Sequence, residues 1–190
     1  SMKKQDGSYF DTFYNQTFSY DKRNEKYKTS DGYISRFSQN VPLISESYTL
    51  TNVYDYKIYN EWLDENIFSI GFFAKNANSL SGKNIKLSDR LFLPSSKLRG
   101  FESGRVGPKD GADFIGGNYA ASINLATSLS QILPNSQNTS FSIFFDAANV
   151  WGIDYSSKLN DGSKIRSSAG IALDLFTVIG PLNFSLSQPI

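Results

Sequence analysis

The chain has 190 residues, a formal net charge of +1 at pH 7, no cysteine and no histidine. The missing cysteines exclude disulfides and thiolate metal sites within these residues, and the missing histidines exclude Ser-His catalysis and the imidazole ligands that zinc commonly uses. The near-neutral charge gives no basic footprint for nucleic acid, whereas an aromatic content of 15% suits strands and membrane interfaces.

Alternation of apolar and polar residues runs along most of the chain, and a period of two predicts β-strands. The predicted strands, in chain order, are 9–22, 32–42, 47–62, 66–76, 114–130, 139–151, 164–177 and 181–189. Turn signals such as Asn160-Asp161-Gly162 and Gly180-Pro181 separate them. Several of these strands are longer than the about 5–6 residues of soluble strands and reach the about 9–11 residues that a tilted membrane-crossing strand needs.

One connection, at about 77–113, shows little alternation, and a loop of this length predicts a functional role. Two architectures fit the strands. A soluble β-sandwich would pack the apolar faces inward, whereas a membrane barrel would turn them to lipid and line its lumen with the small polar residues. Strand length and the aromatic-rich apolar faces favour the membrane barrel.

Five motifs follow one another in the second half of the chain. They are Leu98-Arg99-Gly100-Phe101 with Gly107-Pro108, Gly116-Gly117-Asn118, Phe144-Phe145-Asp146-Ala147, Arg166-Ser167-Ser168-Ala169-Gly170 and Gly180-Pro181-Leu182-Asn183-Phe184. Their order and spacing resemble the C-terminal part of BamA-type barrels, in the outer-membrane insertase or bacterial surface antigen superfamily. The resemblance is dense from about Asp89 to Ile190 and looser from Tyr9 to Asn76.

The resemblance implies an all-β fold, an antiparallel transmembrane β-barrel of which this chain holds about eight of sixteen strands. Residues 1–190 are expected to be the C-terminal part of the barrel, with the long internal loop at about 77–113. The periplasmic POTRA domains, the first half of the barrel and the final strand of the family are expected to lie outside this sequence.

In this family the Arg-Gly-Phe loop folds back into the barrel lumen, so the resemblance implies a latch made of Arg99, Gly100, Phe101 and Asp146. The planar guanidinium of Arg99 can grip a carboxylate with two hydrogen bonds, and Asp146 lies on the polar face of its strand. Gly100 would permit a tight bend, and Phe101 would fill a pocket in the lumen. The alternatives are a solvated loop arginine and a hydrated lumen carboxylate.

Other positions carry weaker expectations. Family members commonly place a second carboxylate, a glutamate, where this chain has Ala126, and this departure puts a two-carboxylate grip in doubt. Asp174 is a further carboxylate on a lumen face. Gly116 and Gly117 predict either a bend at the start of a strand or ordinary turn chemistry. Trp151 is expected in an aromatic girdle at the membrane interface.

The resemblance implies an insertase that assists the folding of other β-barrels into the outer membrane of a Gram-negative bacterium. Its partners would be unfolded outer-membrane β-barrel clients, outer-membrane lipids and assembly lipoproteins, with no cofactor, no nucleic acid and no enzymatic chemistry. The alternatives are a polypeptide translocation channel of the two-partner secretion type, an outer-membrane hydrolase using Asp146 and Asp174, and a soluble interaction domain. The number of POTRA domains, an activity screen and solubility without detergent distinguish them.

Overall fold

The computed structural model describes residues 10–45, 47–62, 65–132, 138–154, 156, 159 and 164–190. Eight long strands and one short hairpin make up the fold. The long strands are β1 (Thr12–Asp21), β2 (Gly32–Ile44), β3 (Thr49–Trp62), β4 (Asn66–Ser79), β7 (Tyr119–Ser128), β8 (Thr139–Trp151), β9 (Arg166–Thr177) and β10 (Gly180–Pro189), and the hairpin is β5 (Lys109–Asp110) with β6 (Asp113–Phe114). Within the described ranges, three 3₁₀ turns occupy Leu87–Asp89, Ser95–Lys97 and Ser130–Ile132.

The eight long strands form one antiparallel sheet in the order β1-β2-β3-β4-β7-β8-β9-β10, so each strand pairs with the neighbour that follows it along the chain. All eight strands predicted from the alternation are therefore confirmed. Within the described residues, β1 and β10 are the two edges of this sheet. The described part of the chain contains no helix with the length and hydropathy of a membrane-spanning helix.

The long connection differs from its predicted bounds at both ends. Strand β4 continues to Ser79, three residues beyond the prediction, because Thr51 to Thr49 of β3 extend the pairing with 77–79. Strand β7 begins at Tyr119 and not at 114, because Phe114 pairs in the short hairpin and Gly117 pairs with Leu91. The loop therefore covers 80–118. The predicted turn signal at 160–162 lies outside the described residues.

The two faces of the sheet differ in chemistry. Side chains on the outer face are large, apolar and exposed, and the most exposed of these within the last three strands is Leu186, at 74%. Other members of this face are Ile70, Phe72, Ile123, Ile143, Phe145, Ile171, Leu182 and Phe184. The apolar face thus points away from the protein, as a membrane barrel requires and a soluble sandwich does not.

The inner face is lined by small and polar side chains and surrounds a cavity of about 830 Å³. The sheet curls around this space, and a contact across it shows the curvature: Lys28, between β1 and β2, places its Nζ 5.4 Å from the ring centroid of Phe176 in β9. The long loop enters from one end. The buried apolar cluster consequently lies inside the curl, between the loop and the inner face of the curved sheet, which is called the wall below.

Candidate functional site

The loop 80–118 folds back against the inner face of the sheet. It contributes five side chains to the buried apolar cluster, and they pack on inward-facing residues of β4, β7 and β8. The loop residues are Ile85, Leu91, Leu93, Leu98 and Val106, and the wall residues are Phe73, Ala77, Ala120, Ala148 and Val150. Burial of this apolar surface supplies the non-directional part of loop docking, while polar contacts fix where each loop residue sits.

Arg99 and Asp146 form one of these polar contacts, and it is centred on a fully buried carboxylate. Arg99 Nε donates to Asp146 Oδ2 and Arg99 Nη2 to Asp146 Oδ1, both at 2.8 Å, and the Arg99 backbone N–H donates to Oδ2 at 3.1 Å. The Asp146 side chain is fully buried, and that of Arg99 is 19% exposed. This bidentate geometry is the strong form of a charge-assisted pair, and it joins the loop to β8.

Two side chains to which the sequence had given no role complete this contact. Asn124 of β7 donates its Nδ2 to Asp146 Oδ1 at 2.8 Å, and Arg99 Cζ lies 3.3 Å from the centroid of the Phe144 ring. Both follow from strand alternation, because Phe144 lies two residues from Asp146, and Asn124 is the register partner of Asp146 on the next strand. Ala126, which stands where the resemblance implies a glutamate in other family members, lines the cavity.

Gly100 and Phe101 lie where the loop approaches the last strand. Gly100 has a φ of +86°, and a Cβ built on it would lie 2.8 Å from Ser187 Oγ of β10. Both the backbone conformation and the close approach therefore favour glycine. Phe101 is partly buried and packs against the apolar cluster, and it also lines the cavity.

Gly116 and Gly117 lie just before β7, at a crossing between the loop and the wall. Gly117 and Leu91 exchange two backbone hydrogen bonds, of 2.8 and 3.0 Å. A Cβ built on Gly117 would lie 2.4 Å from the backbone oxygen of Trp151, and Gly116 has a φ of +68°. The absence of side chains at Gly116 and Gly117 therefore allows the backbone just before β7 to lie in contact with the backbone of Leu91 and Trp151.

The remaining predicted positions lie apart from the Arg99 contact. Trp151, at the end of β8, stacks on Tyr119 with ring centroids 5.8 Å apart. Asp174 faces the cavity and accepts a hydrogen bond of 2.5 Å from Asn183 Nδ2. Among the described residues, no group of three or more acidic side chains converges in a way that would hold a metal ion.

The loop is also tied to the connections at its own end of the sheet. Asp89 Oδ2 accepts hydrogen bonds from the hydroxyls of Ser47 and Thr49, at 2.8 and 2.9 Å. Arg90 Nη2 lies 2.5 Å from Asp154 Oδ1, and Asp154 Oδ2 accepts from the Ile85 backbone N–H at 2.7 Å. Loop docking therefore rests on several polar contacts distributed along its length.

Comparisons with known proteins show what this chain is similar to. A family model described as the Omp85 superfamily domain matches residues 1–190. A SAM50-like protein of Schizosaccharomyces pombe is 43% identical over 58 residues, which are 30% of this chain and 11% of that protein. The crystal structure of BamA from Haemophilus ducreyi lacking POTRA domains 1-3 matches with a TM-score of 0.79 and 27% identity, over 93% of this chain and 38% of that chain.

These matches confirm the resemblance to BamA-type barrels that the motifs carried, and they confirm the all-β, antiparallel fold class. The chain spans only a minor part of both relatives, 11% of one and 38% of the other. The activity of a whole protein therefore does not pass directly to this chain.

Proposed function

Because this chain belongs to the Omp85 superfamily, we propose that it is part of an outer-membrane β-barrel that assists the folding and insertion of other β-barrel proteins. In this proposal the eight long strands are the C-terminal half of a sixteen-stranded barrel. The partners are unfolded β-barrel clients and the lipids of the membrane, together with assembly lipoproteins. The work is done by strand pairing and membrane perturbation, without covalent chemistry.

The observation that carries the proposal is the loop seated inside the curl of an apolar-out sheet. Exposed side chains such as Ile171, Phe184 and Leu186 suit contact with hydrocarbon and would be a liability in water. The loop occupies the space that an open translocation channel would keep clear for its polypeptide. This filling favours the insertase over the two-partner secretion channel.

The proposed mechanism uses a strand edge at the seam of the whole barrel as a template. An unpaired strand edge presents backbone N–H and C=O groups, and a client strand can add to it by β-augmentation. The strands that close the barrel in the family are expected outside this chain. In this proposal the described residues therefore supply part of the barrel wall and the loop that this wall holds.

The compartment is proposed only as an outer membrane. One similar protein comes from Haemophilus ducreyi and the other from the yeast Schizosaccharomyces pombe. Similarity to a yeast protein means that the family is not restricted to Gram-negative bacteria, so the comparisons do not support that narrower expectation.

The test is reconstitution of the full-length parent protein in liposomes, followed by addition of a urea-unfolded β-barrel client. We expect the client to reach its folded, heat-modifiable form faster than in empty liposomes, and Arg99→Ala to slow it. Asp174→Asn, an equally inward-facing carboxylate that does not bond Arg99, is the matched control. Passage of a soluble polypeptide into the liposomes without faster client folding would support the channel instead.

A further inference from the structure

A further ion pair holds the loop two residues before Arg99. Lys97 Nζ lies 2.6 Å from Asp55 Oδ2 of β3, and the same ammonium lies 5.1 Å from the ring centroid of Phe73 in β4. Lys97 ends the 3₁₀ turn Ser95–Lys97. This short turn delivers the lysine toward β3 while Arg99 reaches β8.

The two ion pairs are joined through one amide. Asn124 Nδ2 donates both to the Lys97 backbone oxygen, at 3.0 Å, and to Asp146 Oδ1, at 2.8 Å. A continuous chain of polar contacts therefore runs from Asp55 through Lys97 and Asn124 to Asp146 and Arg99. Since β3, β4, β7 and β8 are consecutive in the sheet, this chain crosses four adjacent strands.

The charges in this chain balance in pairs. Lys97 and Arg99 supply two positive charges, and Asp55 and Asp146 supply two negative charges. With alanine at 126, one carboxylate serves Arg99, and the amide of Asn124 supplies a neutral donor beside it. The other carboxylate, that of Asp55, lies on β3 and faces Lys97.

We propose that Lys97, Asp55 and Asn124 are positioning residues that form a further anchor for the loop beside Arg99 and set how Arg99 meets Asp146. The proposal deepens the proposed function and rests on it for its biological meaning. In this geometry the loop segment 97–99 is held to the sheet at two points, on β3 through Lys97 and on β8 through Arg99. Loss of the Asp55 contact should then loosen the segment around Arg99 even though the Arg99 partner is intact.

The test uses limited trypsin cleavage of the full-length protein in nanodiscs, with no client present. Asp55→Asn keeps both basic residues, so cleavage after Arg99 can be measured by mass spectrometry. We expect it to rise about two- to fivefold, the size that a partly exposed ion pair supports. Cleavage after Arg105, whose side chain is 62% exposed in the same loop, is the internal reference and should not change.

Further variants separate positioning from general destabilisation. Lys97→Arg preserves the charge and should keep cleavage after Arg99 near that of the unsubstituted protein. Asn124→Leu, which removes both amide hydrogen bonds, should raise it. Asp174→Asn is matched to Asp55→Asn in chemistry and in facing the cavity, but its hydrogen bond goes to Asn183, so it should have no effect.

Two outcomes would overturn the proposal. One is equal cleavage after Arg99 in Asp55→Asn and Asp174→Asn. The other is a rise after Arg105 that matches the rise after Arg99, since this would mean general loosening of the loop. Neither readout uses a client, so failure of the proposed function would appear separately, as absent client folding by a protein whose loop is still anchored.

Discussion

Replacing Arg99 with alanine should release the loop more strongly than replacing its partner Asp146. Asp146 is fully buried and accepts four hydrogen bonds, three from Arg99 and one from Asn124. Arg99→Ala leaves this carboxylate buried without its counter-charge, which costs about 3–5 kcal/mol in comparable sites. Because the arginine side chain is 19% exposed, water can enter, and we expect the lower end, about 3 kcal/mol.

Truncating Asp146 should destabilise the docked loop less than truncating Arg99. Asp146→Ala removes the acceptor, but the guanidinium keeps its stacking on Phe144 and its partial access to water. The unmade hydrogen bonds then cost about 2 kcal/mol. The double variant lacks both charges, so it should resemble Asp146→Ala, with a coupling of about 3 kcal/mol in a double-mutant cycle.

Hydrogen exchange of the backbone amides at 97–101, in the full-length protein in nanodiscs, measures this loop opening directly. A cost of 3 kcal/mol corresponds to about a hundredfold loss of protection, and 2 kcal/mol to about thirtyfold. Asp174→Asn, measured in parallel, should leave these amides unchanged. Full additivity of Arg99→Ala and Asp146→Ala, or a larger effect of Asp146→Ala, would refute the reasoning.

Three further substitutions test other contacts. Gly100→Ala should reduce protection of the same amides by about 1–2 kcal/mol, because its φ of +86° is strained for an L-residue, and its Cβ would lie 2.8 Å from Ser187 Oγ. Phe144→Leu removes the ring under the guanidinium and should cost about 0.5–2 kcal/mol by the same measurement. Leu186→Arg, on the outer face, should destabilise the protein in liposomes by about 2–4 kcal/mol if that face meets lipid, as urea unfolding would report, whereas inward-facing Ser185→Arg should cost less.

Alternation predicted the eight strands because each side chain of a strand has only two directions available. The bounds of β4 and β7 differed at the loop, since alternation does not reveal which backbone a residue pairs with. Phe114 alternates as a strand residue should, yet its partner is Lys109 in a separate hairpin. Gly117 likewise pairs with Leu91 of the loop.

The two ion pairs of the site differ in how far the sequence predicted them. Arg99 and Asp146 came from the family resemblance, and their facing positions are consistent with the alternation of β8. The Lys97–Asp55 pair carried no such signal, because its geometry depends on the 3₁₀ turn before Lys97. The alternation of β7 puts Asn124 on the polar face of its strand, but a face alone does not show that one amide bridges two ion pairs.

The distribution of the loop contacts bears on how an insertase of this kind would work. The ion pairs of Lys97 and Arg99 reach β3 and β8, and the intervening β4 and β7 supply Phe73 and Asn124. These strands are the middle of the described sheet, whereas client pairing requires an edge. The ion pairs of Lys97 and Arg99 use side chains of these strands and leave the backbone pairing between the strands intact. Release of the loop should therefore change the curvature of the wall first, and the readiness of an edge to accept a strand only as its consequence.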